Sequence, residues 1–167
     1  MPGVLYQVNG PAVVYVAGGK LPSGNQALGI CRERIKIRIN HYDERIPGDN
    51  AGPRLPVDLQ YLGKDANISM TLTEFDPAML DAIEKLSQAA PGNLDQIGMP
   101  MGAGGLTFAV KIPSNYKPWT FPNCVLRPRG EAIGTEYSLI DLEFYAFALI
   151  GSAINAAGIP LFTNVFA

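Results

Sequence analysis

The sequence predicts a mainly β fold with a single α-helix, and three observations support this prediction. Apolar and polar residues alternate with the period of a strand, most clearly in residues 35–39. The chain contains 18 glycines and 14 prolines, which divide it into short segments typical of strands and turns. One segment, which begins at Asp76, has the apolar spacing of a helix.

Length and composition favour one domain that assembles with copies of itself. A chain of 167 residues is long enough to bury a core, and we expect residues 1–167 to form a single domain. Charged residues make up 17% of the chain, whereas about 25% is typical of soluble domains. Such a low charge indicates that part of the surface is covered by other subunits, unless the chain is simply a weakly charged β domain.

The strands are predicted from their alternation and from the turn residues that bound them. These segments are residues 13–16, 30–40, 57–61, 66–72, 106–112, 123–129 and 136–150. Loops are expected at 20–29, 93–105 and 113–122. Residues 152–167 are predicted to form a C-terminal arm. Tails of this kind are often disordered, but this one is apolar enough to pack on a neighbouring subunit.

A long polar segment, residues 41–56, separates two of the predicted strands. It is rich in Gly, Pro and Asp and is longer than an ordinary hairpin connection. Loops of this length in a compact domain are usually functional. We therefore expect the segment to lie outside the core and to take part in assembly.

The helix is predicted for residues 76–89. Asp76 is a good N-cap, and Pro77 falls at the first helical position, where its missing N–H has no cost. Residues 90–92, Ala-Pro-Gly, end the helix. Apolar side chains recur at helical spacing and predict one face buried in the core: Met79, Leu80, Ile83 and Leu86.

Basic side chains alternate with isoleucines at the start of the 30–40 region. The basic residues are Arg32, Arg34, Lys36 and Arg38. Isoleucine partners indicate a core on the other face, so this is not the aromatic-interleaved pattern of a nucleic-acid surface. One interpretation is a solvated strand edge that discourages uncontrolled pairing. The other is electrostatic pairing with a neighbouring subunit through an acidic patch: Asp58, Asp65, Glu74, Asp141 and Glu143.

The residues needed for catalysis or metal binding are not found in recognisable patterns. His41 lies close to Asp43, but no Ser or Cys has a nucleophile context. The spacing of Asp43, Glu44 and Asp49 matches no calcium loop. The glycine-rich run 98–105 lacks the Lys-Ser/Thr ending of a phosphate loop. We therefore predict no enzymatic activity, no catalytic residue, no cofactor and no metal site.

Charge, cysteines and apolar runs exclude other classes. The net charge is −2, which does not favour tight binding to nucleic acid. Residues 1–6 have no signal-peptide pattern. The apolar run 144–150 is too short to span a bilayer, so we predict no membrane insertion. For Cys31 and Cys124, which are far apart in sequence, free thiols in a reducing compartment are favoured over the alternative of a disulfide.

In the order of its elements the chain resembles the tail tube proteins of long-tailed bacteriophages. An early strand pair is followed by a strand, the polar segment and the sequence Leu-Pro-Val-Asp at 55–58. Residues 63–76, GKDANISMTLTEFD, then match that family's pattern G-x-x-A-x-I-x-x-x-L-x-E-x-D, which leads into a short helix at 79–86. The resemblance covers residues 10–150.

The resemblance implies a β-sandwich or half-barrel of antiparallel strands with one flanking helix. Subunits of this kind close into hexameric rings through edge-to-edge hairpins, and the rings stack into a tube that conducts DNA during ejection. It implies a structural virion protein in the phage tail, assembled in the bacterial host cytoplasm. Expected partners are other copies, the tape measure, terminator and, in a contractile tail, sheath proteins, with non-specific passage of DNA. Type VI secretion tubes are similar in fold.

Two alternatives to the tail tube remain. One is a capsid decoration or head–tail connector protein, and the other is a monomeric ligand-binding β-barrel. For an assembling subunit, the charged strand and loop residues are the expected interface: Arg34, Lys36, Arg38, Asp43, Glu44, Arg45, Asp49, Arg54, Asp58, Asp141 and Glu143.

Overall fold

A computed structural model describes residues 12–18, 21, 26–31, 34–47, 56–87, 107–114, 118–127, 140–148 and 161–164. The fold is mainly β, with antiparallel strands and one short helix in the described residues, which confirms the predicted fold class. The strands are β1 Ala12–Ala17, β2 Gln26–Cys31, β3 Lys36–Pro47, β4 Pro56–Phe75, β5 Phe108–Ile112, β6 Trp119–Leu126, β7 Ile140–Phe147 and β8 Thr163–Asn164. The helix is α1, Pro77–Ser87.

Six of the strands form a sheet that closes on itself. The order of neighbouring strands is β2-β1-β5-β6-β7-β4, and β4 pairs again with β2. The closing contact is short and places Gly29 opposite Phe75, Ile30 opposite Glu74 and Cys31 opposite Leu72. Closure removes the exposed edges that an open sheet would present. The result is a small barrel. Strand β3 pairs with residues 56–69 of β4, along the part of that edge that β2 does not occupy.

The barrel is filled by the side chains that face inward, which are every second residue along each strand. Phe108, Phe121 and Phe144 are at most 1% exposed, and the rings of Phe108 and Phe144 meet edge to face at 5.8 Å. On β4 the buried residues alternate as the strand period requires: Ala66, Ile68, Met70 and Leu72. The isoleucines of the 35–39 segment pack against this core, whereas Lys36 and Arg38 are exposed. The predicted division of that segment into two faces is therefore confirmed.

Helix α1 begins where the sequence predicts. Asp76 Oδ1 accepts hydrogen bonds from the backbone N–H groups of Ala78 (3.0 Å) and Met79 (3.4 Å), as an N-cap does. The four residues of the predicted apolar stripe are all buried. The helix contacts β2 and β6, which lie on opposite sides of the closed sheet. It therefore lies across the barrel end at which β4 finishes.

Several predicted boundaries were wrong because strand pairing overrides local turn signals. Residues 41–47, predicted as loop, continue β3, and residues 57–61 and 66–72 belong to one 20-residue strand. Residues 26–29 and 119–122, also predicted as loop, lie in β2 and β6. In each case the segment is held as strand by pairing with another strand, which a local pattern does not reveal.

A charge on the buried face of α1 is expected to unfold the protein. In Leu80→Asp the carboxylate would replace a side chain that is 5% exposed, and the free energy of unfolding should fall by several kcal/mol, since a buried charge has no partner there. Ala78→Asp adds the same group to an exposed site near the helix N-terminus and should change little. Thermal melting of both variants measures the difference. Equal melting would show that Leu80 is not in the core.

Candidate assembly site

The most distinctive surface is a two-stranded ribbon that continues past the barrel. We call residues 41–47 of β3 and 56–64 of β4 the hairpin arm. Their pairing is continuous with the barrel sheet, from Lys36 opposite Ser69 to Pro47 opposite Pro56. The other neighbour of β4, β7, pairs only from Asp65 to Leu72, so the arm begins where β7 ends.

The edges of the arm are available for pairing. In the part of the chain that the structure describes, β3 ends the strand order and its outer edge pairs with no other strand. The opposite edge of the arm, along residues 56–64, also lies beyond the last paired residue of β7. A two-stranded ribbon is marginally stable by itself in water. Free edges of this length offer hydrogen-bonding groups to another chain.

Large apolar side chains are exposed on the arm. Leu59, Tyr61 and Leu62 are 56%, 60% and 57% exposed, and Tyr42 and Ile46 are 48% and 42% exposed. Of the large apolar residues exposed in the described part of the chain, Phe75 alone lies elsewhere. Scattered exposed leucines are ordinary, but several together on one element are typical of an interaction surface.

One face of the arm extends the core-facing side of the barrel. Leu59 and Tyr61 lie opposite Arg45 and Asp43, and the rings of Tyr61 and His41 are 6.3 Å apart. In the alternation of β3, His41 follows Ile35, Ile37 and Ile39, which pack on the core. The same face is therefore covered in the barrel and exposed on the arm.

The arm joins the barrel at an irregularity in the ladder. The register shifts between Tyr42 and Asp43, so Leu62 lies between two paired positions. Gly63 has φ of 140°, in the region where glycine is favoured over residues that carry a Cβ. A bulge of this kind bends the strand and increases its twist.

A buried carboxylate lies beside this irregularity. Asp65 is 8% exposed although it lies on the outer face of β4, between the core residues of the alternation. Its Oδ1 accepts a hydrogen bond from Asn40 Nδ2 at 2.7 Å. Its Oδ2 accepts from the hydroxyls of Tyr42 and Tyr145, each at 2.8 Å. The Arg127 guanidinium lies over the Tyr145 ring, 5.6 Å from its centre.

These contacts shift the pKa of all three acidic groups. Burial disfavours the charged form of Asp65, but the three hydrogen bonds and the charge of Arg127 outweigh it and lower the pKa of the carboxyl below 3.8. The hydrogen bond to Asp65 raises the pKa of Tyr42 above 10.0. Burial and the same carboxylate raise the pKa of Tyr145 above 10.0. The group is therefore a carboxylate held by neutral phenols at physiological pH.

The directions of these pKa shifts predict the pH range in which the cluster stabilises the fold. Because the folded pKa of Asp65 is lowered, its contribution is present above 3.8 and is lost as the pH falls through the folded value. Because the tyrosine pKa values are raised, theirs is present below 10.0 and is lost as the pH rises through the folded values. Ultraviolet titration of Tyr42→Phe and Tyr145→Phe should each show the loss of one late-ionising tyrosine. Loss of a tyrosine that ionises at about 10.0 in both variants would contradict these contacts.

The structure exposes most of the predicted interface residues. Exposed side chains are Arg34, Lys36, Arg38, Asp43, Glu44, Arg45, Asp58, Asp141 and Glu143. Five of these lie on β3, and Asp58 faces Ile46 across the arm. Asp49 and Arg54 lie outside the described residues.

Three acids of the predicted acidic patch have partners within the chain. Asp65, in the cluster described above, is buried and unavailable to a neighbour, so its expected role was wrong. Asp141 Oδ1 accepts a hydrogen bond from the Thr71 hydroxyl at 2.6 Å. Glu143 forms an exposed ion pair with Arg127 at 3.6 Å. Exposed pairs of this kind contribute little to stability, so Glu143 can exchange partners at low cost.

The groups considered for other chemistry are placed as follows. Cys31 and Cys124 are free and buried, and burial raises their pKa values to about 11 and about 12. His41 lies on the arm, exposed, beside Tyr61. Within the described ranges, no three His, Cys, Asp or Glu side chains converge to hold a metal ion. The described helix, of 11 residues, is too short to cross a bilayer.

Part of the predicted C-terminal arm lies on its own barrel. Residues 163–164 pair with residues 119–120 of β6, and Leu161 is buried in the core. Phe162 contacts the rings of Trp119 and Phe121, and Lys64 Nζ lies 4.9 Å from the centre of its ring. This segment therefore supports the barrel end from which the hairpin arm leaves. The rest of the predicted arm, 152–160 and 165–167, lies outside the described residues.

The apolar residues of the arm were missed as site residues. Leu59 and Tyr61 alternate with Asp58 and Gln60, and that alternation is the same for a strand whose apolar face lies in a core. No sequence signal distinguishes the two cases. Comparison with protein-family models finds no match, and comparison with curated proteins finds none either.

Proposed function

We propose that this chain is a structural subunit that assembles into stacked hexameric rings forming the tube of a phage tail. The observation that supports the proposal is the hairpin arm, a paired ribbon whose exposed apolar side chains and free edges continue beyond the core of its own subunit. Such a ribbon is stabilised when another sheet covers it. A second copy of the same chain is the simplest partner with a matching edge.

Ring closure would keep the exposed edges from forming open aggregates. A head-to-tail contact uses two different surfaces of the subunit, and the contact closes into a ring when the rotation between neighbours divides a full turn. The hairpin arms of successive subunits would then join into one continuous barrel around a channel. The few charged residues of the chain, 17%, are consistent with a surface that is largely covered by neighbours.

A channel for DNA must not hold DNA tightly. Phosphate contacts from clustered Lys and Arg dominate affinity for nucleic acid. The net charge of −2 favours weak, non-specific passage. As a tail component, the tube would also contact tape measure and terminator proteins, and sheath proteins in a contractile tail.

The barrel interior favours assembly over ligand binding. Phe108, Phe121 and Phe144 occupy it and are at most 1% exposed. A ligand-binding barrel instead surrounds an open cavity. An open apolar groove of about 270 Å³ lies outside the core, beside Tyr15, Pro113 and Trp119.

The state of the purified protein tests the proposal directly. We expect negative-stain electron microscopy to show rings and stacked tubes, and sedimentation to show growth with concentration. Isolated trimers or single rings that never stack would favour a capsid decoration or head–tail connector protein instead. A monomer at every concentration would overturn assembly altogether.

A further inference from the structure

The hairpin arm leaves the barrel at a point where the backbone ladder is irregular. At the register shift beside Leu62 the ladder contains one extra residue, and Gly63 adopts a backbone conformation that glycine reaches without steric cost. A Cβ built on Gly63 would meet no atom within 4 Å, so packing does not constrain this point either. Other contacts must hold the root of the arm.

The Asp65 cluster, formed by Asp65, Asn40, Tyr42 and Tyr145, lies across this irregularity of the backbone. Tyr42 and Asn40 come from β3, and Tyr42 is the last residue before the register shift. Tyr145 comes from β7, which ends two residues later. Asp65 pairs with Phe147, the last residue of β7 in the ladder. The Asp65 carboxylate therefore connects the root of the arm to the end of β7.

We propose that Asp65 is a positioning residue that sets the direction of the hairpin arm and so makes the subunit competent for assembly. The consequence for assembly rests on the proposed function, whereas the restraint on the arm does not. The cluster lies on the outer face of the sheet, away from Ala66 and Ile68, which fill the core. Its loss should therefore loosen the arm and leave the barrel intact.

The chemistry of the cluster suits a restraint that is directional. A carboxylate that accepts from two phenols and an amide forms charge-assisted hydrogen bonds, which are shorter and stronger than neutral ones. The charged groups around it are Arg38 on β3 and Arg127 after β6. Arg127 also donates a hydrogen bond to Asn67 Oδ1 at 3.5 Å, so the cluster is tied to a further position of β4.

The restraint on the arm is tested by hydrogen exchange in Asp65→Asn. We expect the amides of residues 58–62 that point towards β3 to exchange at least tenfold faster than in the wild-type chain, at a concentration where both are monomeric. Amides of residues 68–72 in the barrel should be unchanged. Asp43→Asn is the matched control, because it removes the same charge from an exposed arm position. Tyr145→Phe should give a smaller acceleration, since it removes one of three donors.

The outcomes separate the restraint from the proposed function. Equal acceleration in arm and barrel would show that Asp65 only stabilises the fold, and no acceleration would show that it does nothing for the arm. Either result overturns the inference. If the arm loosens but the wild-type chain forms no rings, the restraint stands and the proposed function fails. If rings form equally well in Asp65→Asn despite a looser arm, the link to assembly is wrong.

Discussion

A chain that carries both Leu59→Glu and Tyr61→Glu is expected to fold normally and to remain monomeric. Both side chains are more than half exposed on the hairpin arm, so replacing them removes few contacts within the subunit. In a ring they would be covered by a neighbour. Fully burying one leucine is worth about 1.5–3 kcal/mol, and a buried unpaired carboxylate adds a further cost. Assembly should therefore weaken by roughly 100-fold or more.

Sedimentation velocity and electron microscopy measure this loss, and thermal unfolding shows that the barrel is intact. Ala27→Glu is the control, because it places the same charge on an exposed position of β2, away from the arm. Rings in the control and none in the double variant would support the arm as the contact surface. Rings of normal size in the double variant would show that the subunits meet elsewhere.

Gly29→Val is expected to destabilise the protein by opening the sheet where it closes. A Cβ at Gly29 would lie 2.2 Å from the carbonyl oxygen of Glu74 and 3.1 Å from the Cα of Phe75, both backbone atoms of β4. The strands would have to separate, which breaks the contact that closes the barrel. We expect a loss of about 3 kcal/mol, which lowers the Tm of a chain of this size by roughly 6–12 °C.

The matched control for this change is Ala27→Val in the same strand. Ala27 is exposed and pairs with Tyr15, so a β-branched residue fits there. Differential scanning calorimetry of the two variants gives the comparison. A Gly29→Val protein that melts like the control would contradict the closure of the sheet between β2 and β4.

Local chemistry explains which elements were predictable. Asp76 and Pro77 mark the helix start, and the apolar stripe that follows is buried as expected. Residues 35–39 present isoleucines to the core and Lys36 and Arg38 to solvent. These signals depend only on residues that are close together in the sequence, so the sequence alone shows them.

Strand extents were not predictable in the same way. Residues 41–47 contain three charged side chains and a proline at the end, and this composition favours a loop. They form strand because β4 lies beside them, from Lys64 down to Pro56. Residues 119–122 likewise pair with β5, and Trp119 packs on Phe121 and Phe162. Pairing energy comes from the partner strand, which the pattern of the segment itself does not show.

The sequence by itself determined a mainly β chain with one capped helix and the core-facing side of residues 35–39. The tertiary structure decided that the sheet closes at Gly29, that Leu59 and Tyr61 extend past the core, and that Asp65 holds two tyrosines at the root of the arm. The physical reason is the range of the interactions. Capping and periodicity act between near neighbours, whereas closure, exposure and the burial of a carboxylate depend on which distant strands lie side by side.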